Sequence, residues 1–348
     1  MAYLLQNTLT YTIPLLIVAL AGIFAERSGV INLALEGIMI LGAFIGVLVV
    51  HMFQKAGVFV NPKTDAKTLM WVALGISAAA GAVFSLLLAF ASIHLKADQT
   101  IGGTALNMLA PALVLFLINI IINQNTLNMF TGDAASWFML KKDDFGLTDV
   151  KVKDLNLFQS VFMHKIYPTT YICIALFIVL SIVLYKTKFG LRLRACGENP
   201  QAAASLGINV YAMRYAGVSI SGALAGIGGF VYALTTANCA STGDVAGFGF
   251  LALAVMIFGN WKPLATAGAA FLFGLCKCIA AGYSSIDING DKVFALKDLG
   301  DKLKAAGWDP GSLFRILPFL ITIIVLIFTS KNSRAPKAEG IPYDKGSR

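Results

Sequence analysis

The chain has 348 residues, 57% hydrophobic and 13% charged, with a mean hydropathy of +0.76. A soluble protein of this size carries about a quarter charged residues, so a soluble globular class is excluded. The formal charge of +9 is what basic loops on the cytoplasmic side of a membrane produce, and it calls for no nucleic-acid partner.

Apolar runs of about 20 residues recur, each able to cross a ~30 Å hydrocarbon layer. They are continuous rather than alternating, which selects helices over barrel strands. The predicted fold is an all-α polytopic membrane protein of about nine transmembrane helices, eight to ten as the range. The spans read as 3–24, 30–51, 68–93, 99–122, 168–187, 212–235, 247–260, 264–283 and 313–330. No basic residue precedes Arg27, so the first span serves as its own insertion signal rather than as a cleaved one.

In the second span Asn32 and Glu36 lie four apart on one face, near the inner edge. An intramembrane acid is costly and needs a reason. Two readings stand: a closing ion pair with Arg27, or part of an inner gate. The stretch 33–42 echoes 251–259, and the two run in opposite directions. Opposed short segments in two halves of a chain point to a transporter's central site. In the fourth span Thr100, Gly103, Asn107 and Pro111 form a stripe, with Asn107 near the midplane. Its carboxamide offers donors and an acceptor without charge, which suits a neutral polyhydroxylated or purine ligand. It equally suits a bond to a neighbouring span.

The stretch 186–214 carries five basic residues against Glu198 and belongs inside. Within it Asn199 is an N-cap, Pro200 fits the first helical position and Gly207 is a terminator. A helix over 200–206 follows, with Ala202, Ala203 and Leu206 along one side. Two turns do not hold alone in water, so this helix leans on something. Gly222 with Gly226, and Ala225 with Gly229, make small-residue faces for close helix packing or for pairing with another subunit. The seventh span is short, ~20 Å, and is read as tilted or broken. Phe248 and Phe250 stand at its outer end, facing lipid or stacking on a base. Lys277 of the eighth span snorkels outward or faces a wet cavity.

Basic residues place the tail inside and the N-terminus outside. The domain reading is one transmembrane permease unit, 1–335, with extracytoplasmic loops 123–167 and 284–312, an inner segment 188–211 and a cytoplasmic tail 336–348. Cys173, Cys276 and Cys278 lie in spans, and Cys196 and Cys239 in loops. No metal-ligand spacing or disulfide framework links them. His51, His94 and His164 form no catalytic pattern, which argues against an enzyme. A secondary transporter would need an acid at mid-depth, and Glu36 reads as too shallow.

The stretch TKFGLRLRACGENPQAAASLGIN, 187–209, closely resembles the coupling segment of permease subunits from ABC importers for nucleosides, within the wider simple-sugar and branched-chain amino-acid permease family. Stretches 26–37, 222–229 and 257–264 are similar too, and the likeness covers most of 10–280. Residues 247–249 depart from the Gly-Arg-Gly expected there, and Lys277 replaces an acidic or neutral residue. The resemblance implies a multi-pass subunit of a bacterial cytoplasmic membrane. Glu198, Asn199, Pro200, Gln201, Ala202, Ala203, Ala204, Leu206 and Gly207 would dock on a cytoplasmic ATPase. The chain has no G-x-x-x-x-G-K-[ST] phosphate loop, so ATP and Mg would belong to that separate subunit and no cofactor to this chain. A second permease, the same or a relative, and an extracytoplasmic binding lipoprotein complete the implied assembly. Asn32, Glu36, Thr100, Asn107, Phe248 and Phe250 are the candidate path residues. Nucleosides are the expected cargo, with simple sugars and branched-chain amino acids as alternatives.

Overall fold

The computed structural model describes residues 2–59, 65–129, 137–146, 156–282, 295–329 and 335–345. Among the described residues seven helices are long and apolar enough to cross a membrane. In chain order the first four are α1 (Ala2–Glu26), α2 (Leu35–Lys55), α3 (Asp65–Ile93) and α4 (Gln99–Ile122). After α5 (Leu157–Phe162) comes the fifth, α6 (Pro168–Lys186). Two short helices follow, α7 (Lys188–Glu198) and α8 (Pro200–Ser205), and then the sixth, α9 (Val210–Thr235). Helix α10 (Phe248–Phe258) is eleven residues long, ~16 Å by helical rise, too short to cross alone. The seventh, α11 (Pro263–Gly282), is followed by α12 (Ala295–Ala305) and the apolar α13 (Pro310–Thr329). The fold is thus an all-α polytopic membrane protein, with an apolar helix at each of the nine expected places.

Helices α1, α2, α3 and α9 form the centre. Backbone approach through glycine builds it. A Cβ on Gly229 would stand 2.0 Å from the Met39 carbonyl oxygen, and one on Gly226 2.3 Å from that of Ser77. Lipid tails are as apolar as leucine, so close backbone packing, not hydrophobicity, joins such helices. The faces carrying Gly222, Ala225, Gly226 and Gly229 are buried within this one chain, so they are not free for another subunit.

The two ends of the bundle are distinct. At one end Gln6 donates to the carbonyls of His164 and Lys165, and His51 meets the Asn128 carbonyl at 3.0 Å. There β1 (Leu127–Asn128) pairs antiparallel with β2 (Ala240–Ser241), a ribbon the sequence did not announce. At the other end Lys96 pairs with Asp344 at 2.8 Å, and Arg214 donates to the Ile341 carbonyl. The start of α1 and the strap 335–345 therefore lie at opposite ends.

Several local readings are corrected. Helix α2 starts at Leu35, and 30–34 is irregular. The stretch 188–198 is helical, not a loop. Cys196 lies in that helix and, like Cys239, is buried; all five thiols are. The segments read as extracytoplasmic loops, 123–167 and 284–312, contain α5, α12 and a 3-10 turn at Lys142–Phe145. Asp287, Asp291 and Lys292 of the segment 284–312, and the basic Lys331, Arg334 and Arg348 after the last span, lie outside the described residues.

Candidate functional site

The irregular stretch 30–34 leaves backbone groups that an apolar setting cannot leave unpaired. Two side chains of α4, and Asn32 of the stretch itself, supply partners. Gln99 accepts from the Ile31 amide at 2.7 Å, and Asn32 accepts from the Ala34 amide while donating to Ser221 at 2.9 Å. Asn107 does both jobs at once: it donates to the Leu33 carbonyl at 2.7 Å and accepts from the Gly37 amide at 2.8 Å. Its carboxamide is thus engaged by the break itself. It sits eight residues into α4, ~12 Å from that helix's start, so the break lies well inside the bundle.

Glu36 stands one residue into α2 and is buried. Its carboxylate does not meet Arg27. It accepts from the amides of Gly247 at 3.0 Å, Gly249 at 2.6 Å and Phe250 at 3.2 Å. These open α10, so an acid in the first turn of α2 closes the N-terminus of α10. A helix N-terminus favours negative charge. A Cβ on Gly249 would lie 2.5 Å from the Glu36 backbone nitrogen, so only glycine admits this approach. The stretch 33–42 and the start of α10 thus meet at one carboxylate.

Phe248 is buried, not facing lipid. Its ring lies 4.8 Å from that of Tyr232 and 6.5 Å from that of Tyr11, with the Lys277 ammonium 5.0 Å from its centroid. Lys277 also donates to the Ala246 carbonyl at 3.4 Å. Phe250 is half exposed. Thr100 sits apart, exposed in the first turn of α4, its amide capped by Asp98 at 2.8 Å. Sequence reasoning did not select Gln99, Ser221, Tyr11 or Tyr232. A polar side chain in an apolar run was the available signal for each.

A second constellation lies at the strap end. Asn199 caps α8 by accepting from the Ala202 amide at 3.0 Å, Pro200 opens it, and Gly207 adopts φ +79° beyond its end. Ala203 is buried, whereas Gln201, Ala202 and Leu206 are exposed and Ala204 is partly covered. The three residues read as one side thus divide: Ala203 anchors the helix and the others face outward. Glu198 pairs with Arg27 at 3.4 Å. Gly197 packs so tightly on 27–29 that a Cβ would stand 2.4 Å from the Arg27 carbonyl oxygen. The segment 197–207 therefore rests on the residues that lead into the break.

The strap closes this arrangement. Ala338 donates to the Gly197 carbonyl at 2.9 Å, and the rings of Tyr343 and Tyr211 meet edge to face at 5.3 Å. Glu26, at the end of α1, accepts from the Trp261 indole N–H. Burial pushes the neighbouring Glu339 carboxyl up to about 7, against the lowering effects of Glu26 and Arg27. Burial also raises the Cys196 thiol, which Arg214 partly offsets. Among the described residues no cluster of three or more His, Cys, Asp or Glu could hold a metal.

Comparison with known proteins places the chain. Residues 4–326 match the family described as branched-chain amino acid transport system / permease component, and the chain belongs to that family. It is 38% identical to the guanosine ABC transporter permease protein NupQ of Bacillus subtilis, over 100% of this chain and 98% of the relative. It is 36% identical to the nucleoside ABC transporter permease protein NupC of Lactococcus lactis, over 98% and 96%. Similarity to a putative glucose ABC transporter permease protein, TsgC13 of Haloferax volcanii, is 28% over 94% and 91%. No solved structure matches the chain.

Proposed function

We propose that this permease-family chain is the membrane-spanning subunit of an ATP-driven importer for nucleosides. The observation that carries the cargo is end-to-end similarity to two nucleoside permeases at 36–38% identity, against 28% for the glucose relative. The N-terminus faces outside and the strap faces the cytoplasm. A cytoplasmic ATPase, supplying the ATP and Mg chemistry, docks on α8 through Gln201, Ala202 and Leu206. A second permease and an extracytoplasmic binding protein complete the assembly. Residues 1–335 act as one transmembrane unit.

The geometry supplies a mechanism. Movement of α7 and α8 reaches Arg27 and Gly29 directly through Gly197. Residues 30–34 continue from there to Glu36, whose carboxylate holds the start of α10. Motion of the ATPase thus bears on the starts of α2 and α10 and on the Phe248, Tyr232 and Tyr11 cluster beside them. ATP shifts the relative population of outward and inward states through differential contacts.

Reconstitution with its ATPase, partner permease and binding protein should give ATP-dependent guanosine uptake into proteoliposomes. Uptake by the chain alone, driven by an ion gradient, would overturn the reading. Ala202→Trp should abolish co-purification of the ATPase while the chain still inserts; retained co-purification removes α8 as the docking site.

A further inference from the structure

Where α6 ends and α11 begins, a groove of about 490 Å³ opens at the strap end of the bundle. Ile182, Tyr185 and Lys186 line one wall, Lys262 and Leu264 the other, and Arg27 stands at its head. Lys186 is the last residue of one apolar span and Lys262 directly precedes another. The groove therefore straddles the boundary between hydrocarbon and headgroups. Its lower wall is aliphatic and open: Ile182 is 52% exposed and Leu264 87%. Its upper rim is cationic. Lys186 and Lys262 are exposed, and neither takes part in the ion pairs found among the described residues. Arg27 makes a 3.4 Å contact with Glu198 and donates to the Trp261 carbonyl at 3.5 Å. The positive end of the 20-residue α11 dipole adds to the same field. A ligand matching this site has an anionic head and an aliphatic tail set at that depth. Basic pockets between spans bind such headgroups by this physics.

We propose that the groove holds one anionic phospholipid, with its phosphate on Lys186 and Lys262 and an acyl chain along Ile182 and Leu264. The site lies apart from the Glu36 junction and does not depend on the identity of the cargo.

The test uses the purified, delipidated full chain titrated in native mass spectrometry with dioleoylphosphatidylglycerol or dioleoylphosphatidylcholine. The first phosphatidylglycerol should bind about 10-fold more tightly than the first phosphatidylcholine. Lys186→Gln with Lys262→Gln should bring the ratio to about 2-fold, and Lys262→Gln alone to an intermediate value. Lys302→Gln with Lys304→Gln on α12, exposed and outside the groove, should leave the preference intact. Equal binding of both lipids by the native chain overturns the proposal and leaves the groove to an acidic protein partner. So does a preference that survives in the Lys186/Lys262 variant. Loss of the preference in excess inorganic phosphate would assign the site to a free anion instead.

Discussion

Helices α4 and α9 are of similar length, yet the more apolar one is the less buried. Over its most apolar stretch α4 has a mean hydropathy of 2.4 and is 22% buried, whereas α9 has 1.6 and is 83% buried. Hydropathy measures affinity for hydrocarbon; position within a bundle depends on shape. Helix α9 carries glycines that let carbonyls of α2 and α3 approach its backbone. Helix α4 presents Ile101, Met108, Phe116 and Ile120 outward, and lipid accepts them as readily as protein would.

The contrast can be broken most severely at Gly229. Valine there meets backbone rather than a movable side chain, and overpacking of that kind costs about 3 kcal/mol or more. Loss of monodisperse protein on size exclusion is the expected result. Glu36→Leu comes next, since it leaves three amides of α10 without their acceptor, each worth about 1–3 kcal/mol. Nucleoside uptake should fall at least about 10-fold, with Glu36→Gln intermediate. Unchanged uptake in Glu36→Leu would remove the junction from the transport path.

The strap should respond more gently, and to pH. The Glu339 carboxyl is raised to about 7, so its folded value exceeds its unfolded one. Its contribution to docking is complete below about 4.5 and is lost as pH rises through about 7. Hydrogen exchange at Ala338, corrected for intrinsic rate, should therefore speed up between pH 6 and pH 8, as ~pH markers either side of that value. Glu339→Gln should flatten the response. At the quiet extreme, Met108→Ala on the outer face of α4 should change stability by less than about 0.5 kcal/mol. A larger loss would show that α4 is covered.

The same contrast explains what was readable from sequence. Spans follow from apolar runs, which are local, and their places were legible to within a few residues. The α8 helix was legible because Asn199, Pro200 and Gly207 act within their own turn. The break at 30–34 was not, because Val30, Ile31, Leu33 and Ala34 read as ordinary span. Its cause lies in Gln99, Asn107 and Ser221, up to 189 residues away. Pairing Arg27 with Glu36 was the local guess; the distant partners, Glu198 and the start of α10, prevailed. The lipid-facing reading of Phe248 failed for a related reason, since burial of an aromatic near a helix end depends on which helices surround it.

The sealed cysteines have a practical sequel. With every native sulfhydryl shut away from water, a water-borne maleimide finds a dark background on the wild-type chain. A lone reporter installed at the outward-pointing Leu206 would then light up by itself, and which side of the bilayer it lit from would give the sidedness of the whole molecule.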